Sequence, residues 1–353
     1  MCPTRWWALS EHLAARVEMP REIVGKGLRF SLRHAPCAHI CRYCLISESR
    51  KRSTLPFARF EQLVHHFHDW KQSTHPDDFQ IRIFVGPSFD YDLETLRGVA
   101  RLYARRGTKF QILNLGGLRI RSGEALIEWL EERRAAGITG FHASLAGYGE
   151  THDRWNGRAG DFDYQTLILR LAGDRGMARR EKLFLAQNTL PIFDRLLDLL
   201  DGIPGEISSR TASPFFYAGL ATRYESERLT EEDRDRLPER INRLRPQRFD
   251  NWLSEREWIP IMLETADQPR KLLLKLDVDE TNIDHLENAS CEEIFAKRER
   301  QYQESYLFIP ALDELCSRYG DSTNRKIYMM SRDVEGRWMD LHEATTGTKT
   351  PID

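Results

Sequence analysis

The sequence predicts an α/β protein: an incomplete (β/α)6 barrel of the TIM-like type, followed by a C-terminal α+β extension. Short apolar segments alternate with amphipathic helical segments along residues 28–210, which is typical of parallel strands connected by helices. Polar motifs follow the ends of the predicted strands, where such barrels place their active sites. The 353 residues allow an N-terminal extension (1–27), the barrel (28–248) and a C-terminal region (249–353).

Each predicted strand is a short apolar run that ends near a breaker such as Gly, Pro or Asn. The six strands are predicted at residues 28–32, 81–85, 110–115, 140–145, 182–187 and 206–210. The helices between them are predicted at 57–71, 93–106, 123–136, 162–172 and 191–201. The first helix has an apolar face at helical spacing and is expected to pack on the sheet. This face consists of Phe60, Leu63, Val64 and Phe67.

Beyond the sixth strand, residues 225–248 form a charged stretch that predicts a helix with one solvated face. Its last four residues, Arg-Pro-Gln-Arg, indicate a domain boundary. In the C-terminal region, the hydrophobic pattern predicts a strand at 271–276 and helices near 291–303 and 309–319.

Charge and hydropathy exclude two classes of function. The formal net charge is −2 and the isoelectric point is about 6.6, so the chain lacks the basic field of a protein that holds nucleic acid. No stretch approaches the ~18 consecutive apolar residues that a membrane span requires. The first residues lack the apolar segment of a secretory signal, so a cytoplasmic location is expected.

Three of the six cysteines lie close together, directly after the first predicted strand. Cys37, Cys41 and Cys44 have C-x3-C-x2-C spacing and no fourth thiolate nearby, whereas a structural zinc site normally has four ligands. Three thiolates on one loop favour an iron–sulfur cluster with one iron open to another ligand. A zinc site or a chance grouping is the alternative. Without a secretion signal, the even number of cysteines does not predict disulfides.

The spacing of these cysteines, with the aromatic Tyr43 before the last one, resembles the radical S-adenosylmethionine (radical SAM) superfamily. The resemblance implies one 4Fe-4S cluster on Cys37, Cys41 and Cys44, whose open iron chelates S-adenosylmethionine. It implies that the reduced cluster cleaves S-adenosylmethionine to methionine and a 5'-deoxyadenosyl radical. A flavodoxin or ferredoxin is the expected electron donor, and the expected fold is the incomplete barrel of this superfamily.

The end of the second predicted strand departs from the superfamily pattern. Gly86, Pro87 and Ser88 stand where many members have a Gly-Gly-Glu turn that binds the amino group of S-adenosylmethionine. The glycine still allows close approach of the backbone, and Ser88 or Asp90 is expected to substitute for the missing acid. The alternative for this segment is an ordinary turn between strand and helix.

The loop after the fourth predicted strand extends the resemblance to the SPASM and twitch branch, which includes peptide-modifying maturases. The matching residues are Ser144-Leu-Ala-Gly147, His152-Asp-Arg154 and Gly160-Asp-Phe-Asp163. The resemblance implies that Ser144 helps to hold S-adenosylmethionine and that the His-Asp-Arg element orders the loop. Arg154 is expected either to pair with a carboxylate of the cosubstrate or to form a structural ion pair with Asp161 or Asp163.

Two further segments fit the same resemblance. Asn188, at the end of the fifth predicted strand, is placed like a residue that contacts the ribose in relatives. Residues 282–295 resemble part of a SPASM tail, in which several cysteines normally ligate auxiliary clusters. Only Cys291 and Cys316 remain here, too few for a four-thiolate site, so we expect a degenerate tail without its metal.

These observations predict a radical SAM enzyme that abstracts hydrogen from a substrate C–H bond. The branch resemblance favours maturation of a ribosomal peptide or another natural-product precursor, with a separate leader-recognition protein because only 27 residues precede the first strand. A small molecule such as a sugar or nucleoside is the alternative substrate. An alternative of another class is a non-catalytic iron–sulfur or zinc protein. The sequence singles out no catalytic residue.

Overall fold

Parallel strands form the centre of the molecule. The computed structural model describes residues 23–46, 53–74, 79–246, 252–266 and 268–347. The strands are β1 (Ile23–Ala35), β2 (Gln80–Pro87), β3 (Ile112–Asn114), β4 (Gly140–Leu145), β5 (Ala178–Leu185), β6 (Ile207–Pro214), β7 (Leu253–Ser254), β8 (Arg270–Val278) and β9 (Ile327–Tyr328).

Helices connect and cover these strands. They are α1 (Phe57–Thr74), α2 (Leu93–Arg105), α3 (Gly123–Ala135), α4 (Glu150–Asn156), α5 (Asp161–Gly173), α6 (Phe193–Asp201), α7 (Glu231–Asp235), α8 (Glu239–Asn242), α9 (Glu255–Glu264), α10 (Ile283–Asn288), α11 (Cys291–Tyr306), α12 (Leu312–Tyr319) and α13 (Ser331–Thr346). Two 3-10 helices cover Leu190–Ile192 and Gly219–Glu227. No helix in the described ranges is long and apolar enough to cross a membrane.

The larger strands form two parallel sheets, one in the order β2-β1-β8 and the other in the order β3-β4-β5-β6. The predicted α/β class is therefore confirmed. Among the described residues no pairing joins β2 to β3, and the two sheets do not close, so the predicted incomplete barrel is not confirmed. β3 has only three residues and pairs with β4, which leaves little backbone to pair on its other side.

The strands bury one face against helices, as the hydrophobic pattern requires. In β4, Phe141, Ala143 and Leu145 belong to the core, and Phe141 stacks on Trp129 of α3. Full burial of a Leu or Phe side chain contributes about 1.5–3 kcal/mol. The predicted apolar face of the first helix is confirmed, because all four of its residues are buried in α1. His142 and Ser144 alternate with the core residues and point to the opposite face.

The observed bounds of β5 and β6 differ from the predicted ones. β5 begins at Ala178 and includes the charged residues Arg179 and Glu181, which are buried and paired. β5 ends at Leu185, and β6 runs from Ile207 to Pro214. Glu181 of β5 pairs with Arg179 at 3.2 Å and with Arg210 of β6. Paired charges of opposite sign are tolerated inside a strand, but a sequence pattern scores them as strand breaks.

The predicted helix at 225–248 is wrong. Its place is taken by the end of a 3-10 helix and by the short helices α7 and α8, separated by Pro238. Residues 247–248, at the predicted boundary, lie outside the described residues, as do residues 1–22 of the predicted N-terminal extension.

The C-terminal region contributes to the central sheet. Its predicted strand is present as β8, which pairs in parallel with β1 from Ile23 to Leu32. The helices α9 and α13 meet at the buried Glu255, which accepts hydrogen bonds from Trp338 Nε1 at 2.6 Å and from Arg337 Nη1 at 2.9 Å. Helices α9, α10 and α13 were not predicted, although the Ser254–Glu257 capping box is a readable start signal for α9.

Candidate functional site

The three clustered cysteines lie on the loop that follows β1, at the carboxyl end of the first sheet. Their thiols are half-buried and free of disulfides. Burial, and after it the neighbouring thiols of Cys37 and Cys44, raise the pKa of Cys41 to about 12. Since a metal binds the thiolate, loading this loop with a metal centre would release protons.

The fit of a cluster to this loop rests on donor chemistry and space. Within the ranges that the structure describes, no group of three or more Cys, His, Asp or Glu side chains is arranged to hold a metal ion. Three soft thiol donors on one loop nevertheless fit an iron–sulfur cluster, which would draw them together. Gly117 keeps the space beside them open, because a Cβ there would lie 2.6 Å from Cys37 Sγ. Its φ of +78° also favours glycine.

The backbone of the cysteine loop is held by three other segments. The loop after β3, the carboxyl end of α4 and the segment after β6 each make hydrogen bonds to it. The bonds are Ala38 N to Gly117 O (3.0 Å), Ile40 N to Asn156 O (3.1 Å), Arg42 N to Trp155 O (2.8 Å) and Leu220 N to Cys44 O (2.9 Å). The loop is therefore held at every second residue from Ala38 to Cys44 by neighbours from distant parts of the sequence.

A buried carboxylate connects the cysteine loop to the loop after β4. His39, between Cys37 and Cys41, accepts a hydrogen bond from Gly117 N at Nδ1 (3.2 Å), so its Nε2 carries the proton and donates to Asp161 Oδ1 (3.1 Å). His152 repeats this arrangement: Ala146 N donates to its Nδ1 (3.1 Å), and its Nε2 donates to Asp161 Oδ2 (3.0 Å). In both imidazoles Nδ1 is therefore assigned as the acceptor and Nε2 as the donor.

Further donors complete the shell around Asp161. Asn156 Nδ2 (2.5 Å) and Gln165 Nε2 (2.8 Å) donate to Oδ2, and Arg158 forms an ion pair with Oδ1. Burial alone would raise the pKa of the Asp161 carboxyl, but the hydrogen bonds from His152 and His39 outweigh it and hold the pKa far below its usual range. Asp161 is therefore an ionised anchor at neutral pH.

Tyr43 attaches the cysteine loop to β5 and β6 through aromatic packing. Its ring stacks on Phe215 with centroids 5.0 Å apart and lies 4.7 Å from the ring of Phe184. Phe215 also stacks on Trp155 at 4.4 Å. The Tyr43 hydroxyl donates to Asn156 Oδ1, and burial raises its pKa well above the usual value. Tyr43 is thus a packing residue of the loop with its single polar atom satisfied.

The predicted site residues after β2 lie beside the cysteine loop, but they are engaged in local contacts. In the pairing of β2 with β1, Gly86 is aligned with Arg33 and Pro87 with Ala35. Ser88 is fully buried, and its Oγ accepts a hydrogen bond from Asp90 N at 3.0 Å.

The Asp90 carboxylate pairs with Arg121 at 2.6 Å and with Arg119 at 3.0 Å. Burial opposes ionisation, yet the bonds from these arginines lower the pKa of Asp90. Its charge is thus already compensated within the chain.

The three predicted residues around β4 and β5 have separate surroundings. Ser144 is half-buried on β4, next to Lys182 of β5. Asn188 Oδ1 accepts a hydrogen bond from Trp155 Nε1 at 3.1 Å. Arg154 is exposed, and its Nη2 donates to Thr151 Oγ1 at 3.1 Å.

The expected ion pair of Arg154 with Asp161 or Asp163 is a wrong prediction. Arg158, which follows the end of α4, forms the ion pair with Asp161 instead. Arg154 is exposed on α4, whereas Asp161 is fully buried and bonded to His39 and His152.

Sequence reasoning did not identify His39 as a site residue and did not predict that Asp161 joins the two loops. A histidine two residues after Cys37 was a readable signal, since its position on the loop brings it to the same place as the thiols. Its acceptor lies 122 residues away, and nothing in the sequence links the two. Asp161 was considered only as a partner for Arg154, although it receives the side chains that order both loops.

Comparison with known proteins gives weak similarities only. No protein-family model and no curated protein matches the sequence. Among solved structures, SuiB from Streptococcus suis bound to its precursor peptide SuiA aligns with 59% of this chain at 11% identity and a TM-score of 0.37. The coproporphyrinogen III oxidase HemN from Escherichia coli, a radical SAM enzyme, aligns with 74% at 13% identity and a TM-score of 0.37.

The chain covers only 42% of that SuiB chain and 56% of HemN. SuiB bound to S-adenosylmethionine gives the same TM-score. TM-scores of this size are too low to show a shared fold, so the function must be argued from the residues themselves.

Proposed function

We propose that this protein is a radical SAM enzyme with a single 4Fe-4S cluster on Cys37, Cys41 and Cys44. The observation that carries the proposal is the loop with three thiols at the carboxyl end of β1, tied to the loops after β3 and β4 through His39 and Asp161. A loop that served only as a turn would not need a residue between its cysteines, His39, to be bonded to a buried carboxylate.

When bound, the reduced cluster would supply an electron that cleaves S-adenosylmethionine and starts hydrogen abstraction from the substrate. The chain's own contribution is positioning and exclusion of water. Gly117 leaves room beside Cys37, and the rings of Tyr43, Phe184 and Phe215 form an apolar wall next to the thiols.

S-adenosylmethionine would lie against the polar ends of the neighbouring strands. The proposed contacts are Gly86, Pro87, Ser88, Asp90, Ser144, Arg154 and Asn188, with Tyr43 on the cysteine loop. Because Ser88 and Asp90 are engaged within the chain, we favour the backbone carbonyls of Gly86 and Pro87 as acceptors for its amino group.

For the substrate, we propose a peptide or natural-product precursor, with a small molecule as the second candidate. The support is the resemblance of residues 144–163 to peptide-modifying maturases of the SPASM and twitch branch. A flavodoxin or ferredoxin would deliver the electron, a separate protein would recognise a peptide leader, and the reducing cytoplasm would suit the cluster.

The decisive experiment is anaerobic reconstitution followed by reduction with dithionite in the presence of S-adenosylmethionine. We expect about four irons per chain, an EPR signal of the reduced cluster and slow release of 5'-deoxyadenosine without substrate. Cys41→Ala is the matched control and should release none. An intact cluster that never yields 5'-deoxyadenosine would establish the non-catalytic iron–sulfur protein instead.

A further inference from the structure

The second sheet has a polar and cationic face on which the proposed contacts of S-adenosylmethionine include only Ser144. Along β5, Leu183 and Leu185 are buried in the core, whereas Arg180 and Lys182 occupy the alternate positions. On β4, His142 and Ser144 lie on that same face. Both strands therefore direct polar side chains away from the packed helices.

The strand register brings these side chains together. His142 is the direct neighbour of Arg180, and Ser144 is the direct neighbour of Lys182. On the other side, Lys182 is aligned with Thr211 of β6. Side chains at aligned positions of parallel strands lie next to each other on one face, so these five residues form a continuous patch, named here the cationic patch.

The cationic patch lacks an acid of its own. Glu181, the acidic residue of β5, points to the opposite face and pairs with Arg179 and Arg210. Across the described part of the chain, neither Arg180 nor Lys182 forms an ion pair with a carboxylate. Lys182 Nζ instead lies over the rings of Phe184 and Phe216, 4.8 and 5.0 Å from their centroids.

This arrangement is electrostatically costly without a ligand. Burial lowers the pKa of Lys182. Burial, and then the charges of Arg180 and Lys182, lower the pKa of His142 to about 4, so its imidazole is neutral at pH 7. A partly buried cation without a counter-charge is unfavourable, and an anion bound at this face would relieve that cost.

The cationic patch lies next to the cysteine loop. Lys182 contacts the ring of Phe184, and Phe184 in turn packs against Tyr43, which lies between Cys41 and Cys44. Ser144, a proposed contact of S-adenosylmethionine, borders Lys182 directly. A molecule held by Lys182 would therefore lie one aromatic ring away from the proposed cluster.

We propose that Lys182 and Arg180, with His142 and Thr211 as hydrogen-bond partners, bind an anionic group of the substrate, either a carboxylate or a phosphate. The proposal rests on the proposed function for its reaction and narrows the substrate class to acids. The Lys182 ammonium supplies a point charge, and the planar guanidinium of Arg180 can donate two parallel hydrogen bonds to either a carboxylate or a phosphate. A neutral substrate would leave the partly buried Lys182 without a counter-charge.

The test is titration of the reconstituted protein with inorganic pyrophosphate and with citrate by calorimetry, at constant ionic strength. We expect saturable binding of at least one of them, and the preferred anion identifies phosphate or carboxylate as the group recognised. Lys182→Gln and Arg180→Gln should each weaken it by roughly tenfold or more. Arg243→Gln on α8, an exposed arginine paired with Glu239, is the matched control and should not change binding.

Two results would overturn the proposal: no saturable binding of either anion to the wild-type protein, or equal affinity in Lys182→Gln, Arg180→Gln and the control. Folding is checked independently, because Lys182→Gln removes a partly buried cation and should melt at or above the wild-type temperature without anion. If Lys182→Gln fails to fold, the test is made with Arg180→Gln alone, since Arg180 is exposed.

Failure of this inference is distinguishable from failure of the proposed function. Binding of pyrophosphate or citrate is measured without reductant, so it does not depend on cleavage of S-adenosylmethionine. Release of 5'-deoxyadenosine together with no anion binding would refute only the anionic substrate. Anion binding without any 5'-deoxyadenosine would refute only the radical SAM assignment.

Discussion

The loop after β1 and the C-terminal helices each contain one cysteine whose pKa is raised by burial, but these two cysteines have different surroundings. Burial raises the pKa of Cys41 and that of Cys291 to about 12 in each case. Cys291 and Cys316 lie on separate helices, α11 and α12, each packed as a small apolar side chain. Cys41 has two thiols beside it on one loop. The number of donors within reach, and not the pKa of one thiol, therefore distinguishes a candidate metal site from a core cysteine.

The largest effect should follow from removing a loop cysteine. Cys37→Ala, Cys41→Ala or Cys44→Ala should each abolish the cluster, because two thiolates cannot hold it. The double variant Cys291→Ala/Cys316→Ala should retain about four irons per chain, measured by iron analysis and visible absorption. An iron content of about eight per chain, or a loss of iron in the double variant, would show that the C-terminal region also binds a cluster.

A smaller effect should follow from removing the anchor of the loop. Asp161→Ala leaves the donors of His39 and His152 without an acceptor and should lower the free energy of unfolding by about 3–5 kcal/mol. Asp161→Asn keeps the shape and should cost about 1.5–3 kcal/mol. Urea unfolding measures both.

Asp163→Asn is the matched control for this anchor. Asp163 is exposed two residues away, and its substitution should stay within about 0.5 kcal/mol. The EPR line shape of the reduced cluster should change in Asp161→Asn but not in the control. Identical behaviour of the two variants would remove Asp161 from the site.

The smallest effect on stability belongs to Arg154. Because it is exposed and bonds only Thr151 among the described residues, Arg154→Ala should leave the melting temperature unchanged. If it holds S-adenosylmethionine, the affinity should fall by about 1.5–3 kcal/mol, against about 0.5–1.5 kcal/mol for Ser144→Ala. Titration followed by the cluster's EPR signal measures both. Unchanged affinity in both variants would mean that the resemblance misplaced the site.

The sequence was sufficient for features with a local cause. β4 lies at the predicted 140–145, and the apolar face of α1 is buried as expected, because periodicity reports burial directly. The spacing of the cysteines likewise placed them on one loop after β1. These predictions depend on neighbours in the sequence and not on the rest of the fold.

Features that depend on distant partners were missed. The buried position of Asp161 depends on its hydrogen bond from His39, which lies far away in the sequence. The separation into two sheets depends on the shortness of β3. The strands at 28–32 and 271–276 were both predicted, but their pairing was not, because periodicity identifies a strand without its neighbour.

The pairing of β8 with β1 also affects the order of events during synthesis. β1 leaves the ribosome early, and β2 with α1 follows soon enough to cover one side of it. Its other edge, from Ile23 to Leu32, stays unpaired until β8 has been translated. The cysteine loop begins directly after this strand, so its position is not final before most of the chain has emerged. The proposed cluster is therefore expected to be inserted only after β8 has been translated.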